Sequence, residues 1–172
     1  MEEFEVKILE IDKKEIEERL ISLGAERVFE GEIHAFFFDF KDSSIKKAKD
    51  LVRLRRVGQR SFLAFKKFVE SEEVKVRQEL EVEVSDLKTT KLILESLGLV
   101  SWLFTRKRRL SYKLNHVHFE FDKYLDHYEF VPLFLEVEAQ SLEEIYKYVE
   151  LLGFKKEDCQ PWTILELANY YS

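Results

Sequence analysis

A chain of 172 residues that is 45% apolar and 14% aromatic can fill the core of one ordinary domain, which excludes disorder as its resting state. A formal net charge of −6 argues against nucleic acid as the main partner, because a field of that sign repels phosphate, yet it leaves room for a local cationic site. A single cysteine, Cys159, an opening MEEFEVK without a basic or apolar leader, and a longest apolar run (residues 130–135) too short to span a bilayer predict a cytoplasmic protein with no membrane partner.

In chain order, Glu3-Phe4-Glu5-Val6-Lys7 alternates, predicting a strand with Glu3, Glu5 and Lys7 on one face and Phe4 and Val6 on the other. Asp12 and Glu15, at capping-box spacing, open a helix that carries Ile16, Leu20 and Leu23 and stops at Gly24. Residues 32–40 read as an aromatic-rich strand and residues 41–50 as a polar, mobile loop. Residues 51–57 and 61–68 form a hairpin about Gly58-Gln59. Its first strand places Arg53 and Arg55 on one face with Leu54 opposite, and Lys66 lies on the second.

Glu79-Leu80-Glu81-Val82-Glu83 repeats the first alternation, and Asp86 caps a helix through Leu92, Ile93 and Leu97 to Gly98. Residues 103–114 and 116–124 make a second hairpin. Alternation puts Lys107 and Arg109 on one face and Arg106 and Arg108 on the other, so the run 106–109 is not a single nucleic-acid patch. His116, His118, Glu120 and Asp122 share a parity; His118 is either an inward helper for a metal or proton, or a polar strand residue near a turn. Leu135-Glu136-Val137-Glu138 alternates again and precedes a helix that starts at Ser141 and Glu144, carries Ile145, Val149 and Leu152, and ends at Gly153. The strand–helix plan therefore recurs, without a Pro/Gly/Ser-rich linker, and predicts one α+β domain over residues 1–172.

Alternation alone usually marks an open sheet with one wet face. Here some strands offer carboxylates and others offer Lys and Arg, which suits a different solution: roughly eight strands closed into a barrel, with both sets facing a water-filled tunnel. Carboxylates take hard divalent ions, Arg and Lys take phosphate oxygens, and the metal offsets the repulsion between the two anions. No glycine-rich phosphate loop or dinucleotide fingerprint is present.

The ordered set comprises E-x-E-x-K (Glu3, Glu5, Lys7), R-x-R (Arg53, Arg55), Lys66, R-x-E-x-E (Arg77, Glu79, Glu81), K-x-R (Lys107, Arg109), Asp122 and E-x-E (Glu136, Glu138). Together these resemble the CYTH family, the triphosphate tunnel metalloenzymes that include class IV adenylyl cyclases, thiamine triphosphatases and inorganic triphosphatases. The resemblance runs over nearly the whole chain and implies an eight-stranded antiparallel β-barrel, a tunnel with helices packed outside. It implies Mg²⁺ or Mn²⁺ held by Glu3, Glu5, Glu81, Asp122, Glu136 and Glu138, and phosphates held by Lys7, Arg53, Arg55, Lys66, Lys107 and Arg109. Glu136, Glu138, Lys107 and Arg109 would carry the chemistry. The expected ligand is ATP, thiamine triphosphate or tripolyphosphate, and the expected reaction is hydrolysis. The alternatives are adenylyl cyclase activity or non-catalytic binding, by a monomer or homodimer. The sequence departs from the family pattern in lacking a glycine between Asp122 and Phe134, in reading Pro161-Trp162-Thr163 near the end, and in having no lysine after Lys156.

Overall fold

In the computed structural model, residues 2–69 and 75–172 are described. The alternating segments become β1 (Glu2–Ile8), β2 (Glu26–Phe40), β3 (Leu51–Val57), β4 (Arg60–Val69), β5 (Lys75–Val84), β6 (Leu99–Leu114), β7 (Val117–Tyr124) and β8 (Phe134–Ala139). Every ladder is antiparallel, in the order β5-β4-β3-β2-β6-β7-β8-β1, and β1 pairs back onto β5 from Glu2↔Gln78 to Glu5↔Lys75. The sheet is thus a closed eight-stranded barrel of α+β class, as the sequence predicts. Beyond the β5 contact, β1 continues its ladder with the two-residue β9 (Cys159–Gln160).

The hydrophobic core lies outside the barrel wall. Outward Val6, Ile8, Phe119, Phe121, Leu135 and Val137 are buried against Ile16 and Leu20 of α1 (Lys13–Ser22) and against Ile145 and Val149 of α4 (Leu142–Leu151) and its C-cap Leu152. On the other side Leu94 of α3 (Leu87–Ser96) covers Phe38, Leu54 and Leu99. The three helix starts act as expected. Asp12, Asp86 and Ser141 accept from the backbone N–H of Glu15, Thr89 and Glu144 at 3.1, 2.6 and 3.2 Å. Because apolar residues leave the wall on one parity, the charged parity is forced inward. That single fact builds the site.

Three features depart from the sequence reading. β2 and β6 run much longer, from Glu26 and from Leu99, since their backbones pair with each other along almost their whole length. The segment 41–50 contains a short helix, α2 (Ser44–Lys47), fixed by the buried Asp39 carboxylate, which accepts from the backbone N–H of Phe40, Ile45 and Lys46. A last helix, α5 (Ile164–Tyr171), starts with a full capping box between Thr163 and Glu166 and packs Ile164 and Leu167 with Tyr124, Tyr128 and Phe134.

Candidate active site

The barrel encloses a cavity of about 700 Å³, and the strand registers determine what lines it. From β1 come Glu3, Glu5 and Lys7; from β3, Arg53 and Arg55; from β4, Lys66; from β5, Glu79. Thr105, Lys107 and Arg109 enter from β6, His118, Glu120 and Tyr124 from β7, and Glu136 and Glu138 from β8. Cross-strand pairing sets Glu5 beside Glu138 and Lys7 beside Glu136, and it sets Glu136 beside Glu120 and Glu138 beside His118. Same-face neighbours on adjacent strands approach closely, so three strands deliver one continuous polar cluster.

Within it Glu120, Glu136 and Glu138 each offer a carboxylate oxygen within 4.8 Å of the others. Burial, together with the charges of Glu136 and Asp122, pushes the Glu120 carboxyl up to about 7 despite Arg109 beside it. Glu138 is raised well above the usual carboxylate range by burial and by a hydrogen bond to Glu3. Burial would raise Glu3 too, but it is held ionised, below its ordinary value, because Glu138 donates to it and Lys66 stands alongside. Glu3 and Glu138 therefore form a hydrogen-bonded carboxyl pair that shares a proton. His118 is lowered by burial and by Lys113, so its ring is neutral at pH 7.

The cations form two groups. Lys66 Nζ lies 2.6 Å from Glu3 Oε2 and 2.9 Å from Glu79 Oε2, while Arg53 reaches Glu79 at 3.4 Å. Arg55 places Nη2 on both oxygens of Glu81, at 3.2 and 2.9 Å. Across the lumen, Lys7 contacts Glu5 and lies 2.7 Å from Glu136. Burial disfavours its charge, but Glu136 and Glu5 outweigh that and raise its pKa. Lys107 and Arg109 both hold Asp122, and Arg109 also contacts Glu120 and Glu136. Burial and the neighbouring Arg109 depress the Lys107 pKa.

Of the residues that the sequence singles out, most line this one cavity. Glu81 instead meets Arg55 and Arg53 at the wall, and Asp122 is fully buried beneath Lys107 and Arg109. Arg56 and Arg108 point outward, Arg56 towards His34 and Arg108 towards Glu32. His116 is exposed in the turn before β7. The sequence reading left Glu120 and Glu79 outside its ligand set although both share the inward parity; the alternation His118, Glu120, Asp122 was the signal for the first.

A divalent metal fits this donor set. Glu120, Glu136 and Glu138 are hard oxygen donors; burial first, and neighbouring carboxylates second, raise Glu120 and Glu138, and a divalent ion would offset the cost of their charged forms. Among the described residues no helix is long and apolar enough to cross a membrane.

Comparison with known proteins gives a consistent result. The sequence model of the CYTH domain matches residues 1–159. A protein of Methanocaldococcus jannaschii named "putative adenylate cyclase" is 26% identical, over 98% of this chain and 99% of its own. A solved structure from Pyrococcus horikoshii OT3 is 26% identical with a TM-score of 0.79, covering 96% of this chain and 98% of the other. A Hippeastrum protein, named "putative adenylyl cyclase" and described as having a dominant triphosphatase activity, shares the fold. It is 15% identical with a TM-score of 0.65, over 98% of this chain and 95% of that one.

Proposed function

The chain belongs to the CYTH domain family, and from that membership we propose that it binds a triphosphate compound with Mg²⁺ or Mn²⁺ in the barrel lumen and hydrolyses a phosphoanhydride bond. The observation that carries this reading is one cavity lined from several strands by Lys and Arg interleaved with clustered carboxylates. Arg53, Arg55 and Lys66 take phosphate oxygens from one side, and Lys7, Lys107 and Arg109 from the other. Their present carboxylate partners hold them in place before ligand arrives, so little reorganisation is needed when phosphate replaces those contacts.

Glu120, Glu136 and Glu138 hold the metal, with Glu3 and Glu5 alongside; when bound, the ion supplies charge neutralisation and Lewis-acid polarisation of the phosphate. Lys107 and Arg109, fixed by Asp122, stabilise charge developing on the transferred phosphoryl oxygens. The neutral His118 ring is available to accept a proton from an attacking water.

A cyclase reading is favoured by one observation, the name of the Methanocaldococcus jannaschii relative. Product analysis decides between them. With Mg²⁺ or Mn²⁺, orthophosphate from tripolyphosphate or ATP is the expected result. Cyclic AMP with pyrophosphate from ATP selects the cyclase, and binding without product selects a non-catalytic protein. Failure of the chain to bind either compound overturns the reading.

A further inference from the structure

The helix α3 keeps its charges off its solvent side. At about 100° per residue, Leu87, Lys91 and Leu94 turn towards the barrel, where Leu94 is buried and Lys91 lies 4.7 Å over the Phe36 ring. Lys88, Lys91 and Glu95 form one stripe along that flank, with Lys91 and Glu95 3.8 Å apart. The face turned away from the barrel holds Thr89, Leu92, Ile93 and Ser96, at i, i+3, i+4 and i+7, and carries no charge. All four are exposed, Leu92 by 62% and Ile93 by 54%. A surface helix ordinarily puts its charged residues on that face, and this chain, 36% charged, has them to place there.

The two hydroxyls on the face are already satisfied within the helix. Ser96 Oγ donates to the Leu92 carbonyl at 2.7 Å, and Thr89 bonds the Asp86 carboxylate. Drying the face therefore leaves neither of them without a partner. Leu97, at the helix end, and outward Leu80 and Val82, on the strand that leads into α3, are exposed as well.

The order of the four residues says what covers them. Small, large, large, small reads the same in both directions about the midpoint between Leu92 and Ile93. An identical helix laid across it antiparallel sets Leu92 and Ile93 against their counterparts and Thr89 against Ser96 of the second copy. At the rim the same operation brings Lys88 towards Glu95 of the second copy, which fixes the register by charge.

We infer that α3 is the centre of a homodimer interface, in which two copies of this chain pair α3 antiparallel about a two-fold axis between Leu92 and Ile93. A two-fold interface uses one patch twice, so the patch must match itself, and this one does in size order, apolarity and rim charge. The inference is independent of the triphosphate reading, since none of these residues lines the lumen cavity.

Sedimentation equilibrium of the full chain at micromolar concentration should give twice the 20.7 kDa of one copy. Leu92→Glu with Ile93→Glu buries two carboxylates in the pairing and should raise the dissociation constant at least about a hundred-fold, leaving single copies. Ile21→Glu, at an equally exposed position on α1, should remain dimeric. A second measurement reads the same face without adding charge. In a Cys159→Ser background, which removes the one native thiol, chains carrying Thr89→Cys and chains carrying Ser96→Cys should cross-link to each other on oxidation, as read by mass spectrometry, and not to themselves. A wild-type chain that sediments as one copy, a dimer that survives the double glutamate variant, or cysteine chains that cross-link only to their own kind overturns the inference.

Discussion

Arg109 grips Asp122 through two parallel hydrogen bonds, Nε to Oδ1 at 2.7 Å and Nη2 to Oδ2 at 2.5 Å, and Asp122 is fully buried. Lys107 adds a third contact at 2.6 Å to Oδ2. One carboxylate thus aims two of the cations proposed to hold phosphate. Removing one partner from an isolated buried charge pair costs about 3–5 kcal/mol, and less is lost here because Arg109 keeps its contacts with Glu120 and Glu136. Asp122→Asn, which keeps the volume, should therefore lower the urea midpoint of the metal-free protein, with a loss of unfolding free energy of about 1–3 kcal/mol. An unshifted midpoint would show that Asp122 does not anchor the pair.

Strand parity yields a second prediction. Arg53 and Arg55 line the lumen, whereas Arg56 and Arg108 lie on the outer surface, with the Arg108 side chain 73% exposed. Truncating an arginine that holds phosphate removes a charge-assisted hydrogen bond worth roughly 1.5–3 kcal/mol, or about ten- to a hundred-fold in affinity. Arg53→Ala and Arg55→Ala should lose that much tripolyphosphate binding in a calorimetric titration. Arg56→Ala and Arg108→Ala should each stay within about half a kcal/mol. Comparable losses from the inner and outer pairs would mean that the basic surface, not the lumen, takes the ligand.

The barrel and most of its lining were legible because one physical rule, period-two alternation, governs both. Glu3, Glu5 and Lys7 oppose Val6 and Ile8 in the sequence, and the same split separates lumen from core in the structure. What stayed hidden breaks that rule or depends on distant partners. Trp102 has outward parity and reaches the cavity only through a bulge, which no pattern in β6 announces. Asp39 secures α2 through backbone N–H groups six and seven residues away, so a segment that reads as a loop is held at the tunnel mouth. The helix α5 is short, eight residues, and its capping box of Thr163 and Glu166 begins just after Pro161. Glu120 was visible in parity; its burial against Arg109 required three strands to meet.

The metal prediction follows from the cluster. Glu136→Gln together with Glu138→Gln keeps side-chain volume but removes two anionic donors, leaving Glu120 alone of the three. Mn²⁺ affinity measured by calorimetry should fall by at least about a hundred-fold, since hard divalent ions depend on anionic oxygen donors. The far-ultraviolet circular dichroism should be unchanged, because the apolar core lies on the opposite face of these strands. Wild-type Mn²⁺ affinity in the double variant would place the metal elsewhere.

Glu120 gives a pH dependence whose sign can be fixed in advance. Its carboxyl titrates at about 7 in the folded chain against an ordinary 4.5, raised chiefly by burial and net of the attraction to Arg109. In the window between those values the folded state binds more protons than the unfolded state, so stability falls as pH rises through it. Below the window the group is protonated in both states and costs nothing; above it the burial of its charge is felt in full. Glutamine resembles the protonated acid in size and cannot ionise. In metal-free buffer with chelator, Glu120→Gln should therefore match the wild type at about pH 4 and exceed it in melting temperature by a gap that widens up to about pH 8. Added Mn²⁺ should close that gap from the wild-type side, because an ion bound only to the folded state stabilises it and the variant has lost a donor. A gap that narrows or reverses with rising pH, without metal, would mean that the charged form of Glu120 is the one the fold prefers, and that the lumen is balanced by its own cations rather than waiting for an added one.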